Sequence, residues 1–491
     1  MKRYIIGIDE GTTSVRSILY DVKLNQIIQI ERKTFKQIYP KSGWVEHDAQ
    51  EILNATKYTL SCMFNQINPN DVYGIGITNQ RETVVAWDKK TGKPLYNAIV
   101  WQCRRTSRYC KTKLSGSKAN TIRKITGLLP DAYFSATKIQ WLLQKVPKLK
   151  DMANKNELCV GTMESFLVFN LTKEKSFVTD SSNASRTMLY NIHNNTWDEK
   201  LLKMFDISLN ILPKIVDNDE IVGHFAVDGA EIPVAGLIGD QQSSLFGQCC
   251  FNSGDIKNTY GTGSFMLLNI GNKPIFSKHK LLTTVAWRRK GVTTYAIEGS
   301  VFNSGSAVEW LVGNMEVVKT PEESDIVAQN IDDTDGTFFV PAFTGLGAPY
   351  WDSDARGMFY GINRSTNKEH LVRAVLESIA YCVKDIYDVM LKDAGKNARS
   401  VRFDGGVSKS AFVMQLQAEL FGQAIEKSLV KESTALGAIY MCGLATGVWK
   451  DYNELSNIYQ VDKVFKPSKD REKYLNTYKD WKKVVQKTLT K

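Results

Sequence analysis

The chain has 491 residues, more than one ordinary domain holds, and its 43% apolar and 10% aromatic content is enough to bury a core in each of two domains. The formal charge of +11 comes from 63 basic against 52 acidic residues, a balance that nucleic acid, an anionic membrane or an anionic small substrate could explain. The lysines are spread out and no basic run is interleaved with aromatics, which argues against nucleic acid and favours a solvated surface that attracts a small anion.

No stretch approaches the roughly 20 apolar residues of a membrane-spanning helix. The opening Lys2-Arg3-Tyr4-Ile5-Ile6-Gly7-Ile8 meets Asp9 and Glu10 too early for a signal peptide, so a cytoplasmic protein with no stable membrane insertion is expected. The eight cysteines form no CxxC pair and no cluster with zinc spacing, so they read as reduced, packed thiols.

In chain order, Tyr4–Ile8 reads as a buried strand, followed by the polar turn Asp9-Glu10-Gly11-Thr12-Thr13-Ser14 and a second strand from Val15 to Tyr20. Ala49–Asn65 has a helical pattern. Val72–Ile77 reads as a strand leading into Thr78-Asn79-Gln80-Arg81-Glu82, with Thr83–Trp87 expected to continue the same sheet. Ala136–Lys145 reads as a helix, and Pro233–Ile238 as a strand before the helix-like Ser243–Gly247. At Asn258-Thr259-Tyr260 the opening design recurs, with the elbow Gly261-Thr262-Gly263-Ser264 and a strand from Phe265 to Leu268. Two strand–elbow–strand units suggest two domains of related architecture, 1–247 and 248–491.

Phe338–Ala342 reads as another strand and His370–Lys392 as a long helix. Ser400–Phe403 leads through Asp404-Gly405-Gly406 into a helix from Ala411 to Leu420. The basic tail Arg471–Lys491 repeats Tyr474, Tyr478, Trp481 and Val485 at helical spacing, a narrow aromatic stripe expected to dock on the body. Strands alternating with helices imply an α/β protein with mixed sheets.

There is no GxxxxGK[ST] and no GxGxxG after a strand, so neither a P-loop nor the usual dinucleotide fingerprint is present. Two Gly-Thr elbows remain. Their backbone N–H groups and hydroxyls can converge on phosphate oxygens, although one such turn alone usually only turns. Asp9, at a strand end, suits magnesium as well as it suits a hairpin turn. The Gly405-Gly406 pair lets a backbone pass close to a ring or phosphate ahead of a helix N-terminus. Asp240, in Gly239-Asp240-Gln241-Gln242, can take a proton from a hydroxyl; alone, such a residue is more often a helix cap.

These residues resemble the glycerol kinase branch of the carbohydrate kinase family, whose members share the actin/hexokinase-like ATPase fold. The matching runs include Gly43–Asp48, Ile75–Thr83, Tyr96–Arg105, Ser182–Thr187, Gly239–Gln242, Lys257–Gly263, Phe339–Asp352 and Asp404–Gly406, within about residues 3–450. The resemblance implies two actin-like (ribonuclease H-like) domains with a cleft between them. Its acceptor pocket would be Arg81, Glu82, Tyr133, Asp240 and Gln241, with Trp101 and Phe265 as apolar walls and Asp240 as catalytic base.

The nucleotide would meet Thr12, Thr13, Ser14, Arg16, Thr262, Gly305, Glu309, Gly406 and Ser410, with Asp9 positioning Mg2+. The implied reaction is transfer from MgATP to glycerol, the entry step of glycerol catabolism and glycerolipid supply, by a homo-oligomer (dimer or tetramer). The alternatives are a kinase for another polyol or ketose such as xylulose, or a non-catalytic actin-fold binding protein. Departures from the family pattern are Glu10 and Glu309 for Gln, Ala136 for Gly, Ser410-Ala411 where an Asn is usual, and Glu164-Ser165-Phe166 for Asp-Thr-Trp. A phosphorylatable histidine is not expected, since His224 stands at a different position in a shorter loop.

Overall fold

The computed structural model describes residues 2–430 and 432–490, so the last residue of the expected basic tail, Lys491, lies outside the described residues. Ile5, Ile6 and Ile8 are apolar on both faces of Tyr4–Glu10 (β1), which makes it an interior strand. Ser14–Asp21 (β2) and Gln26–Thr34 (β3) continue it as an antiparallel meander, and Val72–Asn79 (β4) pairs with β1 in parallel. With Gly223–Val227 (β5) and Ala230–Gly239 (β6) the first sheet has the order β5-β6-β4-β1-β2-β3.

The second sheet is built from Asp255–Tyr260 (β7), Ser264–Gly271 (β8), Leu282–Arg289 (β9), Val292–Val301 (β10), Ser400–Gly405 (β11), Ile425–Ser428 (β12) and Val461–Phe465 (β13), in the order β9-β10-β8-β7-β11-β12-β13. Here β7 has the place of β1, with an antiparallel hairpin partner on one side and a parallel strand on the other. The repeated elbow therefore marks a repeated topology.

One strand leaves the sheet that its position suggested. Val84–Asp88 pairs with Leu158–Thr162 in a separate sheet instead of prolonging β4. Glu82 between them takes a left-handed backbone (φ 63°) and turns the chain away.

The helices that matter for the site and the cores are Ala49–Phe64 (α1), Ser135–Lys145 (α2), Asp240–Gly247 (α3), Gly305–Gly313 (α4), Lys368–Ala394 (α5), Ala411–Phe421 (α6), Ser433–Ala445 (α7) and Arg471–Thr488 (α8). Asp48 caps α1, accepting the Gln50 and Glu51 amides. Helix α7 comes late in the chain yet packs on the first sheet, where Ala435 and Ile439 share an apolar cluster with Ile5 and Ile18. It crosses α3 at glycines: a Cβ on Gly437 would stand 1.9 Å from the Ser243 carbonyl oxygen, and one on Gly247 2.0 Å from that of Ser433. The position of α3 is fixed by this contact.

The aromatic stripe of α8 docks as expected. Tyr478 and Trp481 are buried, and the Trp481 indole donates to the Phe339 carbonyl at 2.8 Å. All eight cysteines are free thiols, seven of them buried. No helix among the described residues is long and apolar enough to cross a membrane.

Candidate active site

Parallel pairing of β6 with β4 sets Gly239 opposite Asn79, so the residues that follow the two strands emerge side by side. They are Gln80-Arg81-Glu82 and Asp240. The Arg81 Nε lies 3.0 Å from Asp240 Oδ1, and the Gln241 amide donates to the same oxygen at 2.7 Å. Asp240 opens the first turn of α3 and keeps 29% of its side chain exposed, while Arg81 and Glu82 keep 1% each. Burial pushes the Asp240 carboxyl up to about 6, with Arg81 pulling it down and Glu82 adding to the rise.

Arg81 is held on its other edge by Glu298, with bonds of 2.6 and 3.1 Å to the two carboxylate oxygens, and by Gln242 at 3.1 Å. Arg186 joins Glu82 at 2.6 Å and Glu298 at 3.0 Å. Its guanidinium also lies over the Tyr133 and Phe134 rings. Burial alone would raise the Glu298 carboxyl, but Arg186 and Arg81 outweigh it and bring it down to about 2. The left-handed Glu82 is braced through its carbonyl, which accepts from Ser135 Oγ and Lys138 Nζ, each at 3.1 Å. Burial brings the Lys138 ammonium down to about 8.

Trp101 meets Tyr133 edge-on with ring centroids 5.7 Å apart, and its indole donates to Thr12 Oγ1 at 3.1 Å. The expected apolar wall is thereby joined to the first elbow. Phe265 is half-buried on β8, and Gln241 Oε1 accepts from Lys257 Nζ at 2.6 Å.

The first elbow closes with Gly11 N–H donating to the Ser14 carbonyl at 3.0 Å, and Ser14 Oγ accepts from Arg32 at 3.0 Å. Thr13 contributes its carbonyl to the Phe35 amide. Arg16 binds the buried Asp9 and reaches Glu432 at 2.6 Å, so its charge is already shared by two carboxylates. The second elbow is stapled to the start of α4. Thr262 O accepts from the Ser304 and Ser306 amides at 2.9 and 3.1 Å, and Gly261 O from the Gly305 amide at 3.0 Å. A Cβ on Gly305 would stand 2.5 Å from Gly261 O, so only glycine fits there.

The third elbow joins the second, Gly406 donating to the Tyr260 carbonyl at 2.8 Å. Thr262, Glu309 and Gly406 are exposed. Ser410 caps α6: its Oγ accepts the Val413 amide at 3.1 Å and donates to Asp325. Among the described residues no cluster of three or more His, Cys, Asp or Glu could hold a metal by itself. A single carboxylate such as Asp9 suits magnesium that arrives with phosphates and water.

Direct contacts thus link Arg81, Glu82, Tyr133 and Asp240, and Trp101 joins that set, through Tyr133, to Thr12. Four neighbours escaped the sequence reading: Arg186, Lys257, Glu298 and Lys138. A signal was available for Glu298, a charged residue directly after the apolar Tyr295-Ala296-Ile297 of its strand, a placement that burial tolerates only with a partner. Of the departures, Glu10 is fully buried and bound by Gln80 Nε2 at 2.6 Å, and burial raises its carboxyl well above the usual range. Glu164 is buried among Thr162, Ser165 and Thr179 and is raised to about 7 by burial and by Asp180.

Models of the N-terminal and C-terminal domains of the FGGY family of carbohydrate kinases match residues 4–247 and 256–446. A glycerol kinase of Francisella philomiragia is 49% identical over 494 residues, 99% of either chain. The solved structure of Plasmodium falciparum glycerol kinase with ADP superposes with a TM-score of 0.92 at 38% identity, covering 99% of this chain and 98% of that one. A xylulose kinase from Lactobacillus acidophilus shares the fold, with a TM-score of 0.90 at 24% identity over 98% of each chain.

Proposed function

This chain belongs to the FGGY family of carbohydrate kinases, and from that premise we propose that it phosphorylates glycerol with MgATP, giving sn-glycerol 3-phosphate and ADP. The observation that carries this reading is the Asp240 carboxylate, partly exposed, paired with Arg81 at 3.0 Å and linked through Arg81 to Tyr133 and Glu82. A triol needs charged and polar partners for its hydroxyls and an apolar surface for its C–H face. Arg81, Glu82, Tyr133 and Gln241 supply the first, Trp101 and Phe265 the second. Such a pocket rejects analogues that leave a buried charge unpaired.

Asp240 accepts the proton of a primary hydroxyl as that oxygen bonds to the γ-phosphorus; the bond from phosphorus to the bridging oxygen breaks and ADP leaves. Thr12, Thr13, Ser14, Arg16 and Thr262 cradle the phosphates, and Gly305, Glu309, Gly406 and Ser410 line the nucleotide end. Asp9 would hold magnesium through water, and that ion neutralises phosphate charge when bound. Closure of the cleft between 1–247 and 248–491 excludes water. On this reading the enzyme works in the cytosol as a homodimer or homotetramer.

A coupled assay of ADP release with ATP or GTP and a panel of polyols tests the reading. Glycerol with ATP should give the highest kcat/KM. Faster turnover of xylulose would favour the ketose kinase, and ADP release indifferent to every polyol would favour a non-catalytic nucleotide-binding protein.

A further inference from the structure

The polar acceptor residues belong to the first half of the chain, but two of them are held by the second. Lys257 on β7 pairs in register with Leu267 on β8, and Leu267 with Glu298 on β10. Residues directly opposite on adjacent strands project from the same face. The row Lys257–Leu267–Glu298 therefore spans two strand spacings, about 9.5 Å, with a cation at one end and an anion at the other. All three side chains are buried.

This row faces α3 and the chain around it. Leu267 shares an apolar cluster with Leu245 and Phe246 of α3. Lys257 reaches Gln241 at 2.6 Å, and Glu298 grips Arg81 at 2.6 and 3.1 Å. Those two contacts flank Asp240, which lies between the residues they hold. A lysine ammonium donates and cannot accept, so Gln241 must turn its carbonyl oxygen to Lys257 and its amide N–H₂ to the other side. A carboxylate that takes both terminal nitrogens of Arg81 leaves the Nε edge for Asp240.

We infer that Lys257 and Glu298 are a pair of positioning residues, a two-point mount on the second sheet that sets Gln241 and Arg81 on either side of the base. The inference rests on the proposed reaction and adds to it that the acceptor pocket is complete only while the second sheet is docked on α3. Neither residue touches substrate; each acts through the side chain it holds. Among the described residues Glu298 is bonded to Arg81 and Arg186 and not to the nucleotide elbows, so acceptor and nucleotide affinity should separate when its end of the mount is broken. Lys257 also donates to Thr259 Oγ1 at 3.1 Å and faces the Asp404 carboxylate beside Gly405, so its loss reaches both sides, the acceptor more.

The test is steady-state kinetics of Lys257→Met and Glu298→Gln, with Glu298→Asp as the conservative variant. Glycerol KM should rise at least tenfold in the first two, with ATP KM within twofold of wild type in Glu298→Gln and rising less than glycerol KM in Lys257→Met, and Glu298→Asp should recover part of the loss. Glu298→Gln removes the carboxylate shared by two buried arginines; if it does not fold, Lys257→Met, which exchanges a buried ammonium for a side chain of similar length, decides by whether glycerol KM rises more than ATP KM. Equal rises in both KM values, or a lowered melting temperature with wild-type glycerol KM, would overturn the mount. The activity is judged separately, on wild-type turnover. Should wild type not phosphorylate glycerol, the same variants are compared by calorimetric titration of glycerol, where equal affinities overturn the mount and a tenfold loss supports it.

Discussion

The two sides of the site are built from different material. On the acceptor side Arg81, Arg186, Glu82, Glu298 and Asp240 form a network of charged side chains, all but Asp240 almost wholly buried. At the second and third elbows, on the proposed nucleotide side, the contacts are backbone to backbone: Gly305 on Gly261, Ser304 and Ser306 on Thr262, Gly406 on Tyr260. The acceptor side is specified by charge, and an isosteric change that alters charge should damage it. These elbows are specified by closeness of approach, and one added methyl group should damage them.

The largest expected effect is at Asp240. Asp240→Asn keeps the shape and removes the base, so kcat should fall by about 10³-fold, while glycerol KM, read in the same assay, changes far less. A nearly active variant would remove Asp240 from the mechanism. Gly305→Ala should act on the other side alone. Its Cβ meets Gly261 O at 2.5 Å, and overpacking of 1–3 kcal/mol at the elbow corresponds to a rise in ATP KM of about tenfold. Glycerol KM should stay near wild type; a rise in both would erase the distinction between the two sides.

The pH profile sharpens the comparison from the acceptor side. In the proposed reaction the base works ionised, and the Asp240 carboxyl is raised to about 6 by burial. The rate should therefore fall below pH 6, by about tenfold per unit, where an ordinary carboxylate would hold it to near 4. An acidic limb near 4 would show that Asp240 is not the titrating base. The smallest effect belongs to Glu309, exposed on α4. Glu309→Gln should change both KM values by no more than about twofold, as surface substitutions do.

What could be seen in the sequence follows the same division. The elbows were legible because two of them recur between strands, where one alone would usually only turn, and the recurrence at Gly261 announced the second sheet. Asp240 was legible as a carboxylate at a strand end, a position more often a helix cap, and the roles of Arg81 and Glu82 came from resemblance. The turn at Glu82 was not, because nothing local forbids the chain from continuing straight; the left-handed backbone is held by Ser135 and Lys138, more than fifty residues away. Arg186 and Glu298 escaped for a related reason. Arg186 reads locally as one charge in a polar Ser-Asn-Thr run and Glu298 as one charge after an apolar run, and the partners that make them tolerable lie 104 and 217 positions distant. Ser410 was expected at the nucleotide from resemblance, and its hydroxyl is occupied in capping α6 and binding Asp325.

The most direct test of the central claim is the product ratio of a single incubation with glycerol and ATP, with ADP and sn-glycerol 3-phosphate each quantified. The account predicts equal amounts of the two, formed only when glycerol is present and reduced together by Asp240→Asn. ADP appearing without sn-glycerol 3-phosphate would contradict it.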